Sequence, residues 1–327
     1  MPSYFNMIGA GEWGLSVANH LSNLGNHVNV YIRNHENLNV AKQAYQNSEN
    51  IIFYDLTQLA ENNNHKYLNI IAVSSSGFPS IIDDYKSHFE KSKYLCWLTK
   101  GLDHNSGLLF HDLVDNIINT KLEKCIISGP SFARDLEAKK DIQVSIASTS
   151  IELSKTLLSS MSTNYFKMIP TTNIIGVEVA GVIKNITAIL AGALTANNFK
   201  PSDIDKLIKK AQNDIQIMSN KILENRDDSL VTKEDLVNII DSPSCLGDLK
   251  LTCLQDISRN RQLGLKITPG IDIRKTLSDI GTVEGYMSTL TLHNNQSYFG
   301  YSSIVDSAYK ILYLNSEPKT ILEKLLN

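Results

Sequence analysis

The sequence predicts a doubly wound, mostly parallel α/β sheet followed by an all-helical C-terminal domain, and two observations carry that expectation. From residue 4 to about 170, short β-branched and aromatic runs alternate with helical patterns, as parallel strands joined by crossover helices require. After Pro170 the alternation stops and long helical periodicities take over. The boundary predicts a first domain at 1–172 and a second at 173–327.

The strands are expected at 4–9, 27–33, 67–74, 94–99, 124–128, 142–147 and 165–169. The first ends at Gly9, and the helical pattern from Trp13 to Leu24 is stopped by Gly25 and Asn26. In the second domain helices are expected at about 174–196, 202–224, 232–240, 249–264 and 272–280, with others near the C-terminus. Lys200, Pro201, Ser202 and Asp203 read as a turn with a helix start.

Composition narrows the function classes. With 42% hydrophobic and 20% charged residues in a chain of 327, the profile is that of a soluble globular protein rather than a fibrous or disordered one. A formal charge of −3 gives no electrostatic reason to bind nucleic acid, and basic residues cluster only in pairs such as Lys139-Lys140 and Lys209-Lys210. An anionic ligand therefore needs a local pocket. The four cysteines follow no metal-binding spacing, which points to reduced thiols in the cytoplasm, with Cys96 and Cys125 as core filler. The N-terminus lacks a basic region followed by a long apolar stretch, which argues against secretion. The run at 174–194 is long enough to span a bilayer, but Glu178, Lys184 and Asn185 within it favour a buried bundle helix without membrane insertion.

The loop Gly9-Ala10-Gly11-Glu12-Trp13-Gly14 lies between a strand pattern and a helix pattern. Its glycines stand where a dinucleotide loop needs a tight turn, close backbone approach to a pyrophosphate, and helix packing on the strand, so the domain is Rossmann-like. At the end of the second strand no acid is present to grip a ribose 2′-hydroxyl; Arg33 and Asn34 stand there. Arg33 can take a 2′-phosphate or stack on adenine, so NADPH should be accepted, the competing reading being a solvated turn arginine.

Three further groups suggest an enzyme. Lys100 in Thr99-Lys100-Gly101-Leu102-Asp103 follows a strand and is expected at the carboxyl edge of the sheet, where ligands of open sheets bind. Ser128-Gly129-Pro130-Ser131-Phe132-Ala133 follows another strand; Ser131 either caps the next helix or contacts a ligand. Leu246-Gly247-Asp248-Leu249 precedes Ser258-Arg259-Asn260-Arg261, a cation beside neutral donors that suits a phosphate or carboxylate, or else a solvated helix turn. Lys184 stands in a weakly polar run, where it either snorkels to solvent or, partly desolvated with a lowered pKa, exchanges a proton with a carbonyl under reduction.

The ordered blocks GAGEWG, TKGLD, SGPSFARDL, GVIKN, LGDLKLTC, SRNR with a glycine three residues on, and GTVEGY resemble NAD(P)-dependent glycerol-3-phosphate dehydrogenase of the bacterial type, from residue 4 to about 290. The resemblance implies Lys184 as proton donor and acceptor. It places Lys100, Gly129, Ser131, Asp248, Ser258, Arg259 and Asn260 around dihydroxyacetone phosphate or glycerol 3-phosphate. It assigns Glu12, Trp13, Arg33, Lys100, Ala133, Arg259 and Glu284, with Gly9, Gly11 and Gly14, to NAD(P)H. It further implies a role in phospholipid synthesis, and the apolar helices leave room for a homodimer. In this reading Lys100 lies near enough to Lys184 to disfavour a second full charge, and Asp248 orients the lysine or a substrate hydroxyl. The sequence departs from the family pattern at 195–216, at Val73-Ser74-Ser75-Ser76 and at Pro170-Thr171-Thr172-Asn173. The competing readings are another lysine-dependent β-hydroxyacid dehydrogenase, which gives no reason for the phosphate-suited SRNR group, and a catalytically silent NAD(P)-binding protein.

Overall fold

Alternating apolar residues at the N-terminal end of the chain build one sheet in a computed structural model that describes residues 3–46, 48–61, 67–224 and 238–327. Strands β1 (Tyr4–Ile8), β2 (His27–Ile32), β3 (Ile51–Asp55), β4 (Leu68–Ile71), β5 (Tyr94–Trp97), β6 (Glu123–Ser128), β7 (Ile142–Ser148) and β8 (Phe166–Thr171) lie in the order β3-β2-β1-β4-β5-β6-β7-β8. Every neighbouring pair is parallel except β6 and β7. Strand order turns back between β1 and β4, and in open α/β sheets the crevice beyond the carboxyl ends at such a point receives the ligand.

The helices of this unit are α1 (Glu12–Asn23), α2 (His35–Ala44), α3 (Phe78–Asp84), α4 (Lys86–Phe89), α5 (Phe110–Ile117), α6 (Ala133–Glu137) and α7 (Ile151–Met161). Phe5, Met7, Val28, Val30 and Phe53 alternate along their strands and share one buried cluster with Val17 and Leu21 of α1 and Leu157 of α7. The intervening positions carry a polar ladder. Asn29 donates to Asn6 at 3.3 Å and Asn6 to Asn69 at 3.0 Å, so the in-register amides of three strands satisfy one another inside the protein.

The sequence reading omits β3, a five-residue strand at the sheet edge whose Ile52 is 53% exposed, too short and too open to give a long apolar run. The other seven strand expectations correspond to β1, β2 and β4 to β8 within a few residues at their ends.

Chain contacts divide the protein into two compact units, Met1–Asp103 with Phe110–Ile174, and His104–Leu109 with Ile175–Asn327. The short segment 104–109 groups with the helices, and within it His104 Nδ1 sits 3.1 Å from Thr291 Oγ1. The second unit is built on α8 (Ile174–Ala196) and α9 (Pro201–Glu224), followed by α10 (Asp248–Leu254), α11 (Arg259–Leu265), α12 (Ile273–Ile280), α13 (Glu284–Asn294), α14 (Gln296–Phe299), α15 (Ser303–Leu312) and α16 (Pro318–Leu326). Among the described residues α8 is the one helix apolar and long enough to cross a membrane, yet 94% of its most apolar window is buried in the protein. Buried Asp214 of α9 accepts from Ser302 Oγ at 2.7 Å and from the Ile304 N–H at 2.9 Å, so one helix supplies the cap of another, α15.

One helix expectation needs revision. The single helix at 249–264 is broken into α10 and α11, because Gln255 is extended (φ −113°, ψ 129°) and Ser258 begins a new helix by accepting from the Arg261 N–H at 3.2 Å. Most of the helix expected at 232–240 lies outside the described residues; Ile239–Asp241 is a 3₁₀ turn. All four cysteines are buried and free, as core filler would be. Burial pushes the Cys253 thiol up to about 12.

Candidate active site

In the first unit the glycine loop follows β1 and opens α1. Gly9 has φ +109°, and a Cβ there would stand 2.5 Å from the Ala72 carbonyl oxygen at the end of β4, so only glycine lets the loop cross between the two strands. A Cβ on Gly11 would meet nothing within 4 Å. Among the described residues no neighbour demands a glycine at that position, whereas a ligand drawn close to the backbone would. Gly11 is also the N-cap of α1 and makes no side-chain cap, leaving the first amides of the helix to face an anion.

Beside this loop lies a cleft of about 340 Å³ lined by Gly9, Ala10, Gly11, Arg33, Asn34 and Asn37, with Leu56, Ala72, Val73 and Gly77 among its other walls. Arg33 is exposed, and among the described residues no carboxylate side chain lines the cleft with it. Asn34 is already used as the cap of α2, accepting from the Glu36 and Asn37 N–H groups at 2.8 and 3.1 Å. Asn37 was not anticipated; it reaches the cleft only because α2 starts at the tip of β2, a placement that no local motif encodes.

Glu12 and Trp13 do not line that cleft. The Trp13 ring packs edge-on to Phe166 with centroids 6.4 Å apart and joins the apolar core. Ala133 begins α6, and its carbonyl accepts from Ser16 of α1 at 3.1 Å.

A second group gathers at the Gly129 carbonyl. Lys100 Nζ donates to it at 2.8 Å and Ser131 Oγ at 3.1 Å. Ser131 is therefore not a helix cap: the N-cap position of α6 belongs to Phe132 and has no side-chain cap. The lysine and the hydroxyl are held together at the ends of β5 and β6, on the carboxyl side of the sheet.

In the second unit Lys184 does not snorkel to solvent. Its Nζ lies 2.9 Å from Asp248 Oδ1, with the two side chains 12% and 2% exposed. A carboxylate at that distance compensates the desolvation of the ammonium, which would otherwise be costly inside an apolar helix. Asp248 opens α10 directly after the π-helical segment Pro243–Gly247, and Thr252 Oγ1 donates to its carbonyl at 2.7 Å.

The next residue, Asn185, is held from the other side. Asn260 Nδ2 donates to Asn185 Oδ1 at 3.0 Å, while Asn260 Oδ1 accepts from the Gly285 N–H at 2.8 Å. One buried amide thus links the lysine helix, α11 and the start of α13, where Glu284 is the first residue. The Ser258 oxygen caps α11, and Arg259 is exposed. Arg261, the second arginine of the SRNR run, is buried.

Helices α8 and α11 approach closely through two glycines. A Cβ on Gly192 would stand 2.5 Å from the Arg261 carbonyl oxygen, and one on Gly264 would overlap the Ile189 carbonyl. This backbone contact fixes how far the Ser258–Asn260 segment stands from the lysine helix. Among the described residues no group of three metal-ligating side chains is present.

Comparisons with known proteins bear on the whole chain. Residues 5–154 match the family model described as NAD-dependent glycerol-3-phosphate dehydrogenase N-terminus, and residues 173–323 match its C-terminus counterpart. A protein of Francisella tularensis subsp. novicida named glycerol-3-phosphate dehydrogenase [NAD(P)+] is 28% identical, over 98% of this chain and 96% of its own length. The corresponding protein of Francisella tularensis subsp. tularensis is 29% identical over the same shares. The solved glycerol-3-phosphate dehydrogenase of Coxiella burnetii superposes with a TM-score of 0.83 at 24% identity, covering 100% of this chain and 99% of that one. That of Plasmodium falciparum gives 0.84 at 17% identity, covering 100% and 96%. Full-length likeness of this kind supports the expected fold, a mostly parallel sheet followed by helices.

Proposed function

Because the chain belongs to the NAD-dependent glycerol-3-phosphate dehydrogenase family, we propose that it interconverts dihydroxyacetone phosphate and sn-glycerol 3-phosphate, with Lys184 exchanging the proton. The observation that carries this reading is the buried Lys184–Asp248 pair at 2.9 Å, on a helix otherwise nearly free of charge. When bound, the nicotinamide cofactor supplies hydride to the ketone carbon and takes it back in reverse.

Lys184 breaks an Nζ–H bond as the ketone oxygen gains its proton, and in the reverse direction the amine accepts that proton from the alcohol. Asp248 holds Nζ in place and balances the ammonium charge. Arg259, with the Ser258 hydroxyl, anchors the substrate phosphate, and Asn260 keeps that segment beside Asn185. Lys100, Gly129 and Ser131 are further substrate contacts on the family resemblance. The residues fit a dinucleotide: Gly11 leaves open space for its pyrophosphate at an uncapped helix start, and Arg33 offers a cation to a 2′-phosphate, so NADPH is accepted. Glu12, Trp13, Ala133 and Glu284 are retained as nucleotide contacts on the family resemblance. On this reading the enzyme works in the cytoplasm as a homodimer and supplies glycerol 3-phosphate to phospholipid synthesis.

The test is the loss of NADPH absorbance with dihydroxyacetone phosphate. Saturable oxidation is expected. No oxidation at saturating substrate would favour a silent nucleotide-binding protein, and turnover of a keto acid instead would favour a β-hydroxyacid dehydrogenase.

A further inference from the structure

Arg261 is a buried guanidinium that the proposed chemistry does not use. Its side chain is 7% exposed; Nε donates to Asp256 Oδ1 at 2.6 Å and Nη2 to Thr195 Oγ1 at 3.2 Å, while Nη1 is buried with no partner among the described residues. Thr195 in turn donates to the Ala191 carbonyl at 3.2 Å within α8. A half-satisfied buried guanidinium is a poor way to gain stability, since a well-packed apolar side chain of similar volume often does as well or better. Its value lies in geometry.

Asp256 belongs to the four-residue break between α10 and α11, and Thr195 lies near the end of α8. The guanidinium fork therefore ties that break to the lysine helix. Helix α11 meets α8 at three places: Asn260 on Asn185, Gly264 against Ile189 and Gly192, and Arg261 on Thr195. Three separated contacts fix both the position and the rotation of a short helix. Arg259, two residues before Arg261 and exposed, inherits its place from them.

We infer that Arg261 is a positioning residue that, through Asp256 and Thr195, holds Arg259 and Ser258 in register with Lys184 for a phosphate-bearing substrate. The inference rests on the proposed reaction. Lysine in its place keeps the charge but has no planar fork to bridge two partners. Such a change should affect binding energy drawn from the phosphate and spare the part of the reaction that does not use it.

The experiment compares wild type, Arg261→Lys and Asp256→Asn with dihydroxyacetone phosphate and with phosphate-free dihydroxyacetone, alongside NADPH titrations. For both variants kcat/KM with the phosphate substrate should fall by about tenfold or more, mainly through KM, while the value with dihydroxyacetone stays within about threefold and NADPH affinity is kept. Asp256 is 65% exposed, so its amide variant keeps the expectation testable if Arg261→Lys does not fold. Equal losses on both substrates would overturn the inference in favour of a general structural role, and no loss on either would overturn it outright. A wild type inert toward both substrates would overturn the reaction itself, and the inference with it.

Discussion

The candidate cofactor groups of the first unit occupy consecutive positions in one loop and one strand tip, whereas the candidate substrate groups of the second sit on separate helices and meet through long-range contacts. Gly9, Gly11 and the start of α1 are joined by a few residues of chain. Lys184 and Asp248 are separated by 64 residues, and Asn185 and Asn260 by 75. A nucleotide loop can be encoded locally because backbone amides and the absence of side chains do the binding. A proton donor held by a buried carboxylate needs a folded interior to place and desolvate it. The first arrangement should tolerate changes elsewhere in its unit; the second should fail whenever the packing around α8 is disturbed.

The largest effect is expected at the ion pair. Asp248→Ala leaves a buried ammonium uncompensated, and breaking such pairs typically destabilises by about 3–5 kcal/mol. Chemical denaturation should show that loss, and turnover should fall with it. A stability within about 0.5 kcal/mol of wild type would mean that the pair is better solvated than its 2% and 12% exposures indicate.

In the first unit, Gly11→Val should fold normally, since a Cβ there meets no protein atom within 4 Å. It should nevertheless weaken NADPH binding by about tenfold or more, by blocking the approach of the pyrophosphate to the backbone. Fluorescence titration of NADPH measures it, and unchanged affinity would remove the loop from the cofactor site. A smaller and more selective change is expected from Arg33→Ala. The dissociation constant for NADPH should rise by about tenfold, with NADH nearly unchanged. Parallel losses for both nucleotides would return Arg33 to the role of a solvated arginine.

The mildest effect concerns stability and pH. His20 Nε2 carries the proton that it gives to the Met161 carbonyl at 2.7 Å, and burial holds this imidazole below its ordinary value of 6.5, with the Lys139 charge adding in the same direction. The unfolded chain therefore binds the proton more readily. The stability contributed by neutral His20 is complete above the ordinary value and declines as pH falls through it. Melting temperatures measured from about pH 7 to about pH 5 should fall less steeply for His20→Gln than for wild type. Parallel curves would show that other groups set the acid sensitivity.

How much was legible in the sequence follows the same division. The alternation of strands and helices, the glycine loop and the break after Pro170 could be read because each is carried by neighbouring residues. Strand β3 was missed because an edge strand needs only five residues and half a buried face. The gap between α10 and α11 carried a signal, since Ser258 is a favoured cap, but the apolar spacing on either side suggested one continuous helix. Lys184 was singled out by its surroundings in the sequence, and its pairing with Asp248 came only through the resemblance to a known family. Asn37 and the Arg261 fork were not foreseen: their roles depend on where α2 and α8 lie in space, and no spacing in the sequence reports that.

The central claim is that Lys184 exchanges the proton and is not needed to hold the nucleotide. The direct measurement pairs single-turnover reduction of dihydroxyacetone phosphate with NADPH titration, for wild type and Lys184→Ala. The account predicts a rate lower by about 10²–10⁴ with NADPH affinity within about threefold of wild type. Equal losses of rate and nucleotide affinity, or a rate that survives the substitution, would contradict it.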